Sequence, residues 1–268
     1  MLLNPSTGPY FSIPPPIDHP SKDHRLGIFS VNVIGFGYDC LNDDYKVVEI
    51  VEYDLFGLRI RDTLVYSLKK NSWRVNESVS LPIISLKINE TGALVNNHLL
   101  HWLFKPRFPR IACFDLRSEQ WAQNVPLPDL RWHKKGDDLV HLSVFDGCLC
   151  LLTKEVSFIN SVNVWVMKEY GVKESWVKLL GVSDLPCTMA LHTYPISYHN
   201  DEILVTCGGE DGIFFTLMWY NIKVKRCRRA EIHTIHEVNN TSITNAYICH
   251  GSLVTIPGGK QIRKEPPP

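Results

Sequence analysis

Neither sign of charge dominates this sequence. Its 28 Lys and Arg are matched by 28 Asp and Glu, and the formal net charge is zero. A chain that binds nucleic acid over its whole surface needs a basic field, so that class is not expected here. Long apolar runs are also missing: no stretch approaches the ~18 consecutive apolar residues that span a bilayer. The first residues, MLLNPSTGPYFSIPPP, have neither a basic leader nor a long apolar segment, which is not the pattern of a secretory signal. Helical patterning is scarce as well. The best candidate, MKEYGVKESWVKLL (167–180), carries Gly171 in its interior and follows a strand-like run directly. Catalytic signatures are absent: there is no GxSxG, no HExxH, no phosphate-binding Walker loop and no kinase set.

What the chain does have is 268 residues, 44% of them hydrophobic, enough to bury a large core. Eight cysteines lie scattered at 40, 113, 148, 150, 187, 207, 227 and 249. Without a secretory leader they read as reduced thiols of a cytoplasmic or nuclear protein. The sequons at Asn76, Asn89, Asn239 and Asn240 are then expected to stay unmodified.

Short runs rich in β-branched and aromatic residues recur along the chain: KVVEIVEY (46–53), TLVYSL (63–68), LLHWLF (99–104), IACFDL (111–116), CLCLLT (148–153), VNVWVM (162–167), EILVTC (202–207) and FFTLMWY (214–220). Turn residues separate them, which is the pattern of an all-β protein. The runs repeat. Trp73, Trp121 and Trp176 are spaced by 48 and 55 residues, and Cys227 follows 51 residues later. Tyr66, Phe114, Tyr220 and Leu3 each stand seven residues before a second bulky or apolar position: Trp73, Trp121, Cys227 and Tyr10. Trp165 stands eleven before Trp176, as in a longer hairpin. Ahead of each unit comes a turn pair, Asn42-Asp43, Asn96-Asn97, Asp146-Gly147 or Asn200-Asp201, of types that tolerate the positive φ of tight hairpins. Each unit of about 50 residues therefore reads as four antiparallel strands, and several such units in series make a β-propeller. The expected blades cover 25–83, 84–132, 138–186 and 195–236. Residues 1–19 supply only two strands of another blade, and NAYICHGSLVTI (245–256) two more, with His250-Gly251 as its turn. The two ends would complete one blade between them. Residues 257–268 read as a disordered tail.

The motifs, in order, resemble those of plant F-box-associated interaction domains. LLNPSTGPYFSIPPP resembles the NPSTR…LP element of that family, and GFGYDCLNDDYKVVEIV its GFGYD…NDYKVV element. VYSLKKNSWR, GALVNNHLLHWL, IACFDLRSEQWAQNVPLP, LSVFDGCLCLL and VNVWVMKEYGVKESWVKL follow in family order, covering residues 3 to about 182, with a looser tail to about 256. The resemblance implies an all-β, kelch-like β-propeller of about five to six four-stranded blades, incomplete at the N-terminus, over residues 1–256. It implies a substrate-recognition module of Skp–cullin–F-box ubiquitin ligases, not an enzyme, with no cofactor. Two departures stand out. The F-box and a GSCNGLLCL-like strand pair, which precede the NPST element in the family, are not in this sequence, and Gly8 replaces the usual Arg. The adaptor subunit of the ligase is thus an expected partner only if an F-box lies upstream. A truncated chain that competes with intact homologues for substrate is a second reading, and a glycan-binding or copper-containing propeller a third.

Individual residues have plainer readings beside these. Trp73, Trp121, Trp165 and Trp176 are expected to pack between blades. His98 and His101, three apart on a strand, point to opposite faces and make a poor metal site. Cys148 and Cys150 share a face as buried thiols. KVKRCRR (223–229) is expected to be a charged, solvated edge strand. The glycines of GFGYD open no helix, so they read as a bulge or a close backbone approach near the centre of the propeller. Contacts to a substrate protein are expected from loops, at 104–110, 128–138 and 191–200. Arg107, Arg131 and Trp132 are the candidate anchors. No nucleic acid or membrane partner is expected.

Overall fold

The computed structural model describes residues 2–3, 10–16, 33–55, 58–76, 91–104, 109–129, 139–154, 162–181, 194–199, 201–208 and 215–230. Strands β1 (Leu2–Leu3) and β2 (Tyr10–Phe11) form a two-stranded sheet. The first full blade is β3 (Val33–Asp39), β4 (Asp44–Leu55), β5 (Leu58–Ser67) and β6 (Ser72–Asn76). The second is β7 (Ala93–Val95), β8 (Leu99–Phe104), β9 (Arg110–Asp115) and β10 (Gln120–Trp121). The third is β11 (Leu139–Phe145), β12 (Cys148–Lys154), β13 (Val162–Met167) and β14 (Trp176–Gly181). The fourth is β15 (Tyr194–His199), β16 (Glu202–Gly208), β17 (Phe215–Asn221) and β18 (Arg226–Arg229). Every sheet is an antiparallel meander in chain order, and the first strands of successive blades lie side by side. The only helical element among the described residues is a 3-10 turn at Lys173–Ser175, inside the stretch considered above as a helix.

The seven-residue spacing has a direct structural meaning. Leu3 pairs with Tyr10, Tyr66 with Trp73, Phe114 with Trp121 and Tyr220 with Cys227, each across the last hairpin of its unit. The third blade differs. Trp176 pairs with Met167 and Trp165 with Lys178, and a register shift follows between Trp165 and Val164. The longer connection there holds the 3-10 turn and Gly171, whose φ of 83° suits a residue without Cβ.

The tight turns carry the backbone conformation their residues allow. Asp43, Asn96, Asn97, Asp146, Gly147 and Asp201 all have positive φ. The last hairpins use Asn71, Glu119 and Lys225 in the same conformation, and neither Glu nor Lys announces this in sequence. These last turns share a three-residue device. After the aromatic comes a polar residue whose side chain accepts backbone N–H groups: Ser67 Oγ from Lys70 (3.0 Å), Asp115 Oδ1 from Arg117 (2.9 Å), Asn221 Oδ1 from Lys223 and Val224 (3.1 and 3.0 Å). Next comes Leu68, Leu116 or Ile222, whose N–H donates at 2.9 Å to the carbonyl of Tyr45, His98 or Asp201.

The core lies between blades. Val48, Ile50 and Val65 of the first blade pack on Leu100, Trp102, Phe104, Ala112 and Phe114 of the second. The opposite face of the second blade, with Val95, Leu103, Ile111 and Cys113, packs on Leu142, Leu149, Leu151 and Met167 of the third. The third in turn packs on Ile203 and Val205 of the fourth. A sheet buried on both faces has no polar alternation, which explains why LLHWLF and IACFDL are nearly continuous apolar runs. Tryptophans tie the units together by their indole N–H. Trp121 donates to Thr63 Oγ1 of the first blade (3.1 Å), Trp176 to the Pro126 carbonyl (2.9 Å) and Trp73 to the Pro14 carbonyl (2.5 Å). Trp165 bonds Thr153 within its own blade (3.3 Å) while packing on the core between the second and third.

The glycines of GFGYD mark a close approach and not a bulge, because β3 and β4 pair without a register shift. A Cβ on Gly35 would lie 2.6 Å from Leu100 Cδ1 and 2.7 Å from Trp102 Cζ2, and one on Gly37 2.5 Å from Leu116 Cδ1. The second blade occupies the space that side chains at these positions would need.

Candidate partner-binding surface

In a four-stranded antiparallel meander the first and third connections lie at one end of the sheet and the second at the other. The link to the next blade also leaves from that other end. The parallel bridge between Ile34 and Thr91 shows that the first two blades enter in the same direction, so they present the same end on the same side. The tight turns and last-hairpin turns therefore make one end surface. The links from second to third strand and from blade to blade make the opposite one.

Two of the expected contact loops attach at the second surface. The chain leaves β8 at Phe104 and returns at Arg110, and it runs from Asp129 towards Leu139 of β11. Arg107, Arg131 and Trp132 themselves lie outside the described residues, but the connections that carry them attach to the same end of adjacent blades. The third expected loop, 191–200, needs correction. Tyr194–His199 form β15, the inner strand of the fourth blade, because Tyr194, Ser197 and Tyr198 pair along β16.

The turn surface is built over a buried polar hub that the spacing did not reveal. Asp39, fully buried, accepts bonds from the backbone of Leu41 and Asn42 (3.0 and 3.2 Å), from Asn42 Nδ2 (2.6 Å) and from Lys46 Nζ (2.6 Å). Burial alone would raise the Asp39 carboxyl, but the bonds from Lys46 and Asn42 outweigh it and hold it below the ordinary carboxylate range. Lys46 also donates to the Leu116 carbonyl (2.8 Å) and pairs with Glu119 Oε1 (2.7 Å), so one ammonium joins two blades. Glu119 is also paired with Arg74. Above the hub, Tyr38 donates to Asp43 Oδ1 at 2.6 Å, a bond that pushes its hydroxyl up to about 12. The signal was present in GYDCLNDDYK, whose charged residues sit on an otherwise apolar hairpin.

The other polar candidates are structural in their surroundings. His101 is buried, donates from Nδ1 to the Ala93 carbonyl (3.1 Å) and so accepts at Nε2 from Tyr170 Oη (2.7 Å). Cys113 Sγ lies 3.5 Å from the same Oη. Burial lowers His101 to about 4, so it is neutral at ordinary pH. His98 instead bonds the Asn96 carbonyl (2.6 Å). Among the described residues no group of three or more His, Cys, Asp and Glu could hold a metal. Cys150 is pushed up to about 12 by burial and packs with Cys148 on one core face. Of KVKRCRR, residues 223–225 form the last-hairpin turn and Arg226–Arg229 the outermost strand of the fourth blade. Arg228 makes a two-bond contact with Glu202 (3.2 and 2.6 Å) and lies 5.5 Å from the Trp219 ring centre.

The model of the F-box associated beta propeller domain matches residues 1–256. The chain belongs to the F-box associated β-propeller domain family. Its relatives in that setting include F-box protein CPR1 of Arabidopsis thaliana, 32% identical over 84% of this chain and 57% of that protein. F-box protein At4g22390 of the same plant is 34% identical over 68% of this chain and 47% of that protein. The chain thus spans about half the length of the curated relatives it matches. Among solved structures, the β-propeller domain of the Trilobed protease from Pyrococcus furiosus is similar to 78% of the chain and covers 58% of that structure, at 12% identity and a TM-score of 0.40. The propeller and its place beside F-box proteins agree with the motif order GFGYD, DYKVV, YSL and HW. In this chain those residues build the close approach, the polar hub and the blade interfaces.

Proposed function

We propose that this F-box associated propeller recognises a protein to be ubiquitinated by a Skp–cullin–F-box ligase. The observation that carries the reading is the match of residues 1–256 to the family, together with relatives that are themselves F-box proteins. The fold suits a binding module. Its blades interlock through buried contacts, which leaves the connections between strands available to carry variable contact residues. Arg107, Arg131 and Trp132 are proposed as anchors at the surface where those connections attach, since arginine and tryptophan dominate contact energies in protein interfaces. The ligase adaptor subunit is a partner only where an F-box lies upstream on the same polypeptide. The protein is proposed to work in the cytoplasm or nucleus, in keeping with the proposed ligase role.

The test places an F-box ahead of residue 1 and expresses the fusion in plant cells. Ubiquitinated proteins are quantified against cells that express the F-box alone. The expected result is a defined set of proteins whose ubiquitination rises with the fusion and falls at least fivefold with Arg131→Ala and Trp132→Ala together. A profile identical to that of the F-box alone would overturn the proposed function. An enriched set unaffected by both substitutions would remove these residues from the contact surface.

A further inference from the structure

The outermost strands of the described blades differ in charge. β10 carries none, and β6 and β14 carry one cation each, Arg74 and Lys178. Arg74 is paired with Glu119. β18 is unlike them. Arg226, Arg228 and Arg229 are three of its four residues, and all three are exposed. The turn before it adds exposed Lys223 and Lys225, so five cations stand within seven residues of a chain whose net charge is zero. A charge on an edge strand blunts chance pairing, but one or none serves the other blades. Edge protection does not account for three arginines.

Part of this charge is used within the blade. Lys223 pairs with Asp201 at 2.6 Å, and Arg228 bonds Glu202 and lies over the Trp219 ring. Neither Arg226 nor Arg229 is in an ion pair among the described residues. Their places are fixed by pairing with Asn221 and Met218. Successive side chains leave a strand on opposite faces, so Arg226 and Arg228 share one face and Arg229 stands on the other. The Ala230 N–H donates to the Leu217 carbonyl at 2.9 Å. In an antiparallel ladder the residue beside such a pair turns its own N–H and C=O outwards, so those of Arg229 face the rim. The rim thus presents guanidinium groups above and below the strand with a backbone N–H between them. An extended chain rises about 3.3 Å per residue, so three residues span the distance from Arg226 to Arg229.

We propose that the rim of β18 binds an acidic, extended segment of a partner protein, with Arg226 and Arg229 holding its carboxylates from the two sides. The proposal rests on the reading of the chain as a protein-binding module and gives one of its surfaces a partner chemistry. This surface is on the fourth blade, apart from the connections that carry Arg107, Arg131 and Trp132. The strip is one strand long, narrower than the basic field that nucleic acid requires.

The test follows the fluorescence anisotropy of a labelled peptide with a central run of glutamates, titrated with the purified chain at low salt. Saturable binding is expected, weakening as salt is added. Arg226→Gln with Arg229→Gln is expected to weaken it about tenfold or more. Lys70→Gln with Lys178→Gln removes the same charge from exposed positions of other blades and is expected to bind like the parent. A peptide with glutamine in place of glutamate, which leaves the protein unchanged, is expected not to bind. Absence of saturable binding by the parent would overturn the proposal. So would equal losses in the two double variants, because net charge alone would then be read, and so would tighter binding of a single-stranded oligonucleotide of equal charge. The peptide assay contains no ligase, so its failure is distinct from failure of the ubiquitination test above.

Discussion

The ammonium of Lys46 lies 2.6 Å from the carboxylate of Asp39, with the two residues 3% and 0% exposed, at the joint between the first and second blades. A buried ion pair contributes little against an apolar pair of equal volume, but half of one is costly. Lys46→Met leaves Asp39 charged and buried, and removes the bond to the Leu116 carbonyl. The expected loss is about 3–5 kcal/mol, read from urea unfolding. The double variant Asp39→Asn, Lys46→Met is expected to recover part of it. Acid titration supplies the second check. Asp39 is held below its ordinary range, so its contribution is complete above the unfolded value of about 3.9 and disappears as pH falls through the folded one. Asp39→Asn should lack that part of the acid transition.

Two glycines separate space from conformation. Gly37→Ala sets a Cβ 2.5 Å from Leu116 Cδ1 and 2.9 Å from Leu94 Cδ1, so these two leucines must repack at the joint between the first two blades. Overpacking of this kind costs about 1–3 kcal/mol. Gly147→Ala meets nothing within 4 Å but places alanine at a φ of +71°. Its cost is backbone strain alone, about 1 kcal/mol. Thermal unfolding should rank them in that order.

The repeat was legible because each unit has to solve the same problem. A bulky pair across the last hairpin closes each blade's outer edge, so Tyr66 with Trp73 and Phe114 with Trp121 recur at one spacing. Turn pairs such as Asn96-Asn97 were legible because few residues tolerate positive φ. What escaped reading depended on partners distant in sequence. The role of Lys46 requires Leu116, and the role of Gly35 requires Trp102, each in another blade. Glu119 and Lys225 adopt positive φ against their own preference because the hairpin register is already fixed by the pairs around them. The 191–200 segment reads as a loop in sequence because Pro195 and His199 weaken its strand pattern, whereas β16 supplies the pairing that makes Tyr194–His199 a strand. Of the candidate site, only the placement of its connections follows from the described fold.

His101 gives the molecule an acid sensitivity of its own. Burial lowers its folded value to about 4, against about 6.5 when unfolded. Above pH 6.5 both states are neutral and the residue contributes nothing to pH dependence. Between about 6.5 and 4 the unfolded chain takes up the proton first, so stability falls with pH, by about 3 kcal/mol in all. His101→Gln keeps an acceptor near Tyr170 and removes the proton uptake. Chemical unfolding at pH 7 and pH 5 should show a clear loss for the parent chain and a much smaller one for the variant.

Trp121 offers the most direct measure of coupling between blades. Its ring lies 5.7 Å from that of Trp102 and 5.3 Å from that of Phe114, and its N–H reaches across to Thr63 Oγ1 at 3.1 Å. Trp121→Ala empties a large site and should cost about 3–5 kcal/mol. Trp121→Phe and Thr63→Val each delete one side of the hydrogen bond while keeping most of the apolar volume. In a double-variant cycle the pair should show a coupling of about 0.5–1.5 kcal/mol, the usual net worth of one such bond. Additive losses would mean that the bond contributes nothing to a joint that the Val48, Val65 and Trp102 packing and the Lys46 hub also hold.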